Sequence, residues 1–184
     1  MRSGAGNLAT LAMLFGCLKG STAARSRSAR LWLAILAWLP GALGAAEGSL
    51  AVARDFARDG RDLSAKRLPM LVLYSQADCP WCERARREYL VPMQRDAAYR
   101  DRVVLRQIDI DSDAPLTDFA GHPTTHREFG KAERARVAPT VMIYGPGGER
   151  LSDPIVGFRI PDFYGAYLER AIDEGLATVR RSAK

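Results

Sequence analysis

The chain has 184 residues, 47% of them hydrophobic and 26% charged, a length and composition that suit one globular domain and leave little room for two. Its net charge of +6 is no nucleic-acid signature, because the excess sits in residues 1–46, where Arg2, Lys19, Arg25, Arg27 and Arg30 meet no acid. The remainder is close to neutral, which excludes a broad basic binding face.

Within residues 1–46, Arg25, Arg27 and Arg30 precede an apolar run over 31–39, followed by Pro40-Gly41 and small residues through Gly44-Ala45-Ala46. That is the order of a secretory signal peptide, with cleavage expected after Ala46 and a domain over 47–184. The run before Pro40 is shorter than the roughly 20 residues a spanning helix needs, so an uncleaved membrane anchor is the alternative. A second apolar stretch over 8–18 contains Cys17 and loosely resembles a lipoprotein acylation site, although Phe15 is bulky for that motif. Each reading exports the body of the chain, to the periplasm or an equivalent compartment, where disulfides form and persist.

The spacing of Leu50, Val52, Ala53 and Phe56 predicts an amphipathic helix over 49–63, closed by Asp59-Gly60. Residues 70–74 are an apolar run of the length of a buried central strand, and 75–78 form the loop out of it. A helical pattern begins at Pro80 or Trp81, with Cys82, Ala85, Tyr89 and Met93 three or four residues apart. Pro80 suits the first turn, whereas Pro92 is expected to kink the helix. Residues 103–110 read as a second strand ending in the acidic loop Asp111-Ser112-Asp113. The stretch 114–123, with Pro115, Gly121 and Pro123, reads as an irregular insertion. Thr125 caps a helix to about Arg136. Residues 139–144 form a strand, Gly145-Pro146-Gly147-Gly148 a turn and 151–158 its hairpin partner. Pro161 begins a last helix whose Phe163, Tyr167 and Ile172 are expected to cover the sheet, and Tyr74, Phe129, Tyr144 and Phe163 are expected core aromatics. This order describes an α/β fold: a mixed central sheet with helices on both faces.

Beyond the leader only Cys79 and Cys82 remain, and they can bridge only each other. So short a loop yields little chain-entropy stabilisation, which favours chemistry over structure as the reason for the pair. In Cys79-Pro80-Trp81-Cys82 the first cysteine follows a buried strand and opens a helix, where free backbone N–H groups and the helix dipole stabilise a thiolate. Cys79 is therefore the candidate nucleophile and Cys82 the resolving thiol of a redox-active disulfide. Asp78 opposes a thiolate on Cys79, Arg84, Arg86 and Arg87 favour one, and their sum has no sign in the sequence.

Motif and element order over residues 65–176 resemble the thioredoxin family. The resemblance includes Val137-Ala138-Pro139-Thr140, at the place of the family's cis-proline. It implies a thioredoxin fold in which Pro139 lies against the cysteine pair and the Ala138 backbone pairs with an extended substrate segment. Gly157, followed by Phe158, resembles the family's glycine after the hairpin. The resemblance also implies a monomeric thiol-disulfide oxidoreductase without a cofactor, acting on protein or small-molecule disulfides and dithiols. Trp81, on the turn between the cysteines, is a candidate substrate contact with a packing role as its alternative. The chain departs from cytosolic thioredoxins at Leu73, where they have a buried acid, and at Asp78, where they have tryptophan. It looks closer to exported thioredoxin-like proteins associated with sulfur oxidation and cytochrome maturation, which implies a membrane electron carrier as redox partner.

Reduction of protein disulfides is the leading expectation. A disulfide-donating oxidase, an isomerase of the same fold, and a non-catalytic metal- or thiol-binding carrier are the alternatives. A metal would need ligands beyond the cysteines, and His122 and His126 have Pro123 between them, which argues against one continuous helix; they read as surface or loop-ordering residues. Glu83, not histidine, follows Cys82, which excludes a c-type haem attachment motif. Asp109, Asp111 and Asp113 lack the glycine and distal glutamate of a calcium loop.

Overall fold

The computed structural model describes residues 49–182; the expected signal segment, and Cys17 with it, lies outside them. In chain order the elements are α1 (Phe56–Lys66), β1 (Met70–Ser75), α2 (Pro80–Ala85), α3 (Val91–Arg95), β2 (Val104–Asp109), β3 (Pro115–Thr117), β4 (Pro123–Thr125), α4 (His126–Ala132), β5 (Thr140–Tyr144), β6 (Ile155–Val156) and α5 (Pro161–Ser182). The main sheet has the order β2-β1-β5-β6. β1 pairs parallel with β2 and antiparallel with β5, and β5 pairs antiparallel with β6.

All six residues of β1 are buried, as a central strand covered on both faces requires. Its alternation divides the core. Leu71 and Leu73 join Leu105, Val141 and Ile143 under α2, α3 and α5, with Ala85, Leu90, Leu168 and Ile172 closing that layer. Met70, Val72 and Tyr74 join Ile108, Met142 and Tyr144 on the opposite face, against Phe56 and Leu63 of α1 and Phe129 of α4. The mixed sheet with helices on both faces is as the sequence predicts.

Several local expectations are corrected. Residues 49–55 are not helical: Ala53 N–H donates to the Gln107 carbonyl and Gln107 N–H to that of Ala51, both at 2.9 Å, so this strap runs beside β2. Helix α1 begins only after Asp55, whose side chain accepts the Arg58 amide at 2.8 Å. It continues through Asp59-Gly60 and ends at Arg67, in the left-handed region at φ 55°. The stretch expected to be irregular holds the β3–β4 hairpin, closed by Asp118, which accepts the amides of Ala120 and His122. Thr125 caps α4 as expected, yet the helix stops at Ala132, short of Arg136. In α5 the buried face is Tyr164, Leu168, Ala171, Ile172, Gly175, Leu176 and Val179. Of the residues expected to cover the sheet, Ile172 does so, whereas Phe163 and Tyr167 point outward, and Phe163 is 60% exposed.

Between α2 and α3, residues Arg86–Leu90 form a π-helical turn, and the Val91 amide donates to the Arg86 carbonyl five residues back. Pro92, in the first turn of α3, has no N–H and would press on the Glu88 carbonyl in a regular helix. The wider turn takes up that conflict.

Candidate active site

Strand β1 leads through a short turn to Cys79, with Asp78 at φ 51° immediately before it, a conformation to which aspartate is better suited than most side chains. Cys79 is the N-cap of α2 and Pro80 occupies its first turn, where a missing N–H costs nothing. Cys79 and Cys82 are disulfide-bonded, with Cα atoms 5.2 Å apart. The two sulfurs are unequal. Cys79 is half-buried and its Sγ accepts the Cys82 amide at 3.1 Å, while Cys82 is fully buried.

The Ala138-Pro139 peptide is cis. Pro139 is buried, Ala138 half-buried and Val137 half exposed. Thr140, next to the proline, is the register partner of Tyr74 near the end of β1. The Thr140 hydroxyl donates to the Val137 carbonyl at 2.6 Å and the Gly157 amide donates to the Pro139 carbonyl at 2.7 Å. Phe158 follows, and its ring lies 6.1 Å from that of Trp81, 5.9 Å from Tyr89 and 4.5 Å from Tyr164. The glycine loop thus ties the Pro139 segment to the turn between the cysteines.

Trp81 is 52% exposed although Phe158 stacks on it and the Arg84 guanidinium carbon lies 5.7 Å from its ring centre. It is packed on one side and open on the other, so its two expected roles are compatible. Leu73 lies in the core at the position where the resemblance implied an acid, and the polar groups on that sheet face come instead from Ser75 and Gln107. Both are buried, and both accept hydrogen bonds from Arg86 Nη1, at 3.3 and 3.1 Å. Sequence reasoning weighed Arg86 only as one basic residue among three; its four-residue spacing from Cys82 was the available sign that it shares the helix side of that cysteine.

The two histidines are separated in role. His126 is 1% exposed: Nδ1 accepts the Asp109 amide at 3.1 Å, and Nε2 donates to the Ala53 carbonyl at 2.9 Å. With both ring nitrogens on backbone, it orders the strap and has no lone pair for a metal. His122 is exposed on the β3–β4 loop, 3.4 Å from Asp118. Among the described residues no cluster of His, Cys, Asp and Glu suited to a metal ion occurs, and no helix is long and apolar enough to cross a membrane. Asp111 accepts the Ala77 amide at 2.8 Å and Asp113 pairs with Arg127, so the acidic loop is engaged in local structure.

A search of curated proteins finds no match. Solved structures similar to this chain include thioredoxin O2 from Arabidopsis thaliana in the oxidized state, at 19% identity over 66% of this chain and 94% of that one, with a TM-score of 0.44. Mitochondrial thioredoxin 3 from Saccharomyces cerevisiae, in its oxidized form, is 16% identical over 70% and 97%, with a TM-score of 0.47. The oxidised C-terminal domain of DsbD from Neisseria meningitidis is 16% identical over 66% and 99%, with a TM-score of 0.43. A family model described as a thioredoxin-like domain matches residues 56–172, more than half the chain. By that match the chain belongs to the thioredoxin-like family, and it carries the bonded cysteine pair of a thiol-disulfide oxidoreductase of that fold.

Proposed function

We propose that the protein is an exported, periplasmic oxidoreductase that reduces protein disulfides, with Cys79 attacking and Cys82 resolving. The inequality of the two sulfurs carries this reading. A half-buried Cys79 meets a substrate while its sulfur receives the Cys82 amide, a donor that favours the anion. The fully buried Cys82 is kept for the intramolecular step. In the reduced protein the Cys79 thiolate attacks a substrate disulfide, forming a mixed disulfide and expelling one substrate thiolate. Cys82 then loses its proton and attacks the Cys79 sulfur, forming the internal disulfide and expelling the second thiolate. Two electrons pass to the substrate, and the protons given up by the two cysteines end on its thiols.

Trp81, Ala138 and Pro139 form the substrate surface in this reading: the open face of Trp81 supplies apolar contact and the Ala138 backbone pairs with an extended segment. The basic and apolar order of residues 25–46 supports export, with an uncleaved anchor as its variant. The resemblance to exported thioredoxin-like proteins supports a membrane dithiol carrier that returns the two electrons, and a monomeric state.

Insulin reduction by the mature chain tests the mechanism. Wild type is expected to be active, Cys79→Ser inactive, and Cys82→Ser arrested as a mixed disulfide; full activity in Cys79→Ser refutes the assignment. The reduction potential separates direction: a value near about −270 mV supports reduction, one near about −120 mV supports disulfide donation. N-terminal sequencing of exported protein is expected to find Glu47 first.

A further inference from the structure

Three arginines follow the cysteine pair closely, and they are used differently. Arg84 is bound to Glu88 at 3.0 Å and lies over the rings of Trp81 and Phe158. Arg87, its side chain 67% exposed, reaches the same Glu88 at 3.4 Å. Arg86 turns inward. Its backbone N–H donates to the Cys82 carbonyl, its Nη1 to Ser75 and Gln107, and its Nε and Nη2 to Glu83 Oε2 at 3.2 and 2.8 Å. Gln107 is itself oriented by donating Nε2–H to Asp109 Oδ1 at 2.6 Å. The Arg86 side chain is 22% exposed, that of Glu83 56%.

Arg86, Glu83 and Cys79 line one shallow depression, with Asp78 and Pro80 completing its wall. Leu73 brings no charge beneath it. The ionic groups facing this space are therefore Glu83 from α2, Arg86 from the π-helical turn that follows it and Asp78 from the preceding loop. Asp109 is engaged behind Gln107, and Asp111 is turned to the Ala77 amide. The guanidinium is permanently charged and fixed by two neutral acceptors, so its field persists while the Glu83 carboxylate, bonded to it, cancels part of that field.

We propose that Arg86 and Glu83 are opposed positioning residues for the attacking sulfur: Arg86 stabilises the Cys79 thiolate and Glu83 limits that stabilisation. This rests on Cys79 being the attacking thiol, as proposed above. The step concerned is the loss of the Cys79 thiol proton to solvent, leaving the electron pair on sulfur. A more stable thiolate also stabilises the dithiol form over the disulfide, so the pair sets the reduction potential along with the ionisation. The sign of the charge balance, which composition leaves open, then depends on how far Glu83 and Asp78 together offset one inward-facing cation.

The test is the pH dependence of iodoacetamide alkylation of Cys79 in the reduced mature protein, read by peptide mass, with the reduction potential measured in parallel. Arg86→Gln is expected to raise the apparent thiol pKa by about half a unit, a roughly threefold loss of thiolate below that pKa, and to lower the potential. Glu83→Gln is expected to do the reverse by a similar amount. Arg86→Lys, which keeps the charge, stays near wild type, as does the double Arg86→Gln, Glu83→Gln variant. A general loosening of α2 would move both single variants in the same direction. That result, or no movement in either while Cys79 remains the alkylated residue, overturns the inference and leaves the proposed function standing. Absence of preferential alkylation at Cys79 in wild type overturns the proposed function, and this inference with it.

Discussion

The amide of Gly157 donates a 2.7 Å hydrogen bond to the carbonyl of Pro139, so the loop after β6 holds the segment proposed to receive substrate. Gly157 does so at φ +77°, and a Cβ there would stand 3.3 Å from the Arg159 Cγ. Left-handed backbone is open to glycine and strained for a β-branched side chain. Gly157→Val is expected to cost about 1–3 kcal/mol in a urea titration. It is also expected to lower kcat/KM for insulin while Cys79 alkylation in the reduced protein stays unchanged. Equal stability in the two proteins would show that this loop carries no conformational demand.

Phe158 extends the same connection to Trp81, Tyr89 and Tyr164. It is nearly buried, and truncating a packed phenylalanine removes both transfer free energy and contacts. Phe158→Ala is expected to cost about 3 kcal/mol and to release the Trp81 ring from one side. Trp81 is the sole tryptophan after residue 46, so the emission of the mature chain reports on it directly. A red shift and higher accessibility to acrylamide are expected. An unchanged spectrum would mean that Arg84 alone holds the indole.

The two central strands were legible because they hold uninterrupted apolar runs: residues 70–74 and 141–144 have no position at which a helix could place a charged face. The redox pair was legible because cysteines are scarce beyond the leader. What the sequence concealed was non-local. Leu50, Val52 and Ala53 have spacings a helix accepts, yet the backbone of 51–53 finds its partners at Gln107, a pairing that local periodicity does not register. In α5 both the 163/167 and the 164/168 rows are apolar at their start. Only the second continues, through Ala171, Ile172, Leu176 and Val179, and the full-length row decides which way the helix faces. Arg86 was visible as a charge, but its direction depends on Ser75 and Gln107 being on the sheet face below it, which requires the register of β1 with β2.

Three tyrosine hydroxyls lie in the core with opposite consequences. Tyr144 O–H donates to Glu133 Oε2 at 2.8 Å, leaving the Tyr74 proton to bridge the 2.6 Å between the two phenols. Tyr164 O–H is buried with no hydrogen-bond partner among the described residues. Tyr144→Phe strands the buried Tyr74 hydroxyl, while Glu133 keeps Arg150 at 2.8 Å, and is expected to cost about 1–3 kcal/mol, whereas Tyr164→Phe removes an unpaid desolvation and is expected to gain about 1 kcal/mol. Chemical denaturation of the two variants checks the sign, and destabilisation by Tyr164→Phe would point to a water or other partner on that hydroxyl.

The same phenols predict alkaline lability. Burial pushes the ionisation of Tyr74, Tyr144 and Tyr164 upward, so the folded state keeps their protons where the unfolded chain, with a pKa near about 10, has lost them. With fewer protons on the unfolded state, stability falls as pH rises. It is fully present below about pH 10 and declines above it by up to about 1.4 kcal/mol per pH unit for each phenol. Denaturation midpoints between pH 8 and 11 are expected to drop steeply at the upper end, and Tyr164→Phe to drop less steeply than wild type. A flat profile would mean that these hydroxyls ionise as freely in the fold as outside it.

Gly60 is where a turn signal was overridden by packing. Asp59-Gly60 reads as a helix stop, yet α1 runs through it because Asp59 is bound by Arg106, at 2.7 and 2.8 Å, and because Gly60 lets the helix approach the turn after β5. A Cβ at position 60 would stand 2.4 Å from the Pro146 carbonyl oxygen, backbone that cannot swing aside as a side chain would. Elsewhere in a helix alanine outranks glycine by about 1 kcal/mol; here the propensity gain is outweighed by overpacking. Gly60→Ala is expected to lose about 1–3 kcal/mol in urea, with thiol reactivity at Cys79 unaffected because α1 lies on the sheet face opposite α2. A stabilised Gly60→Ala protein would show that the turn at Pro146 yields readily, and that α1 is held by its Asp55 cap and the Phe56 and Leu63 contacts instead.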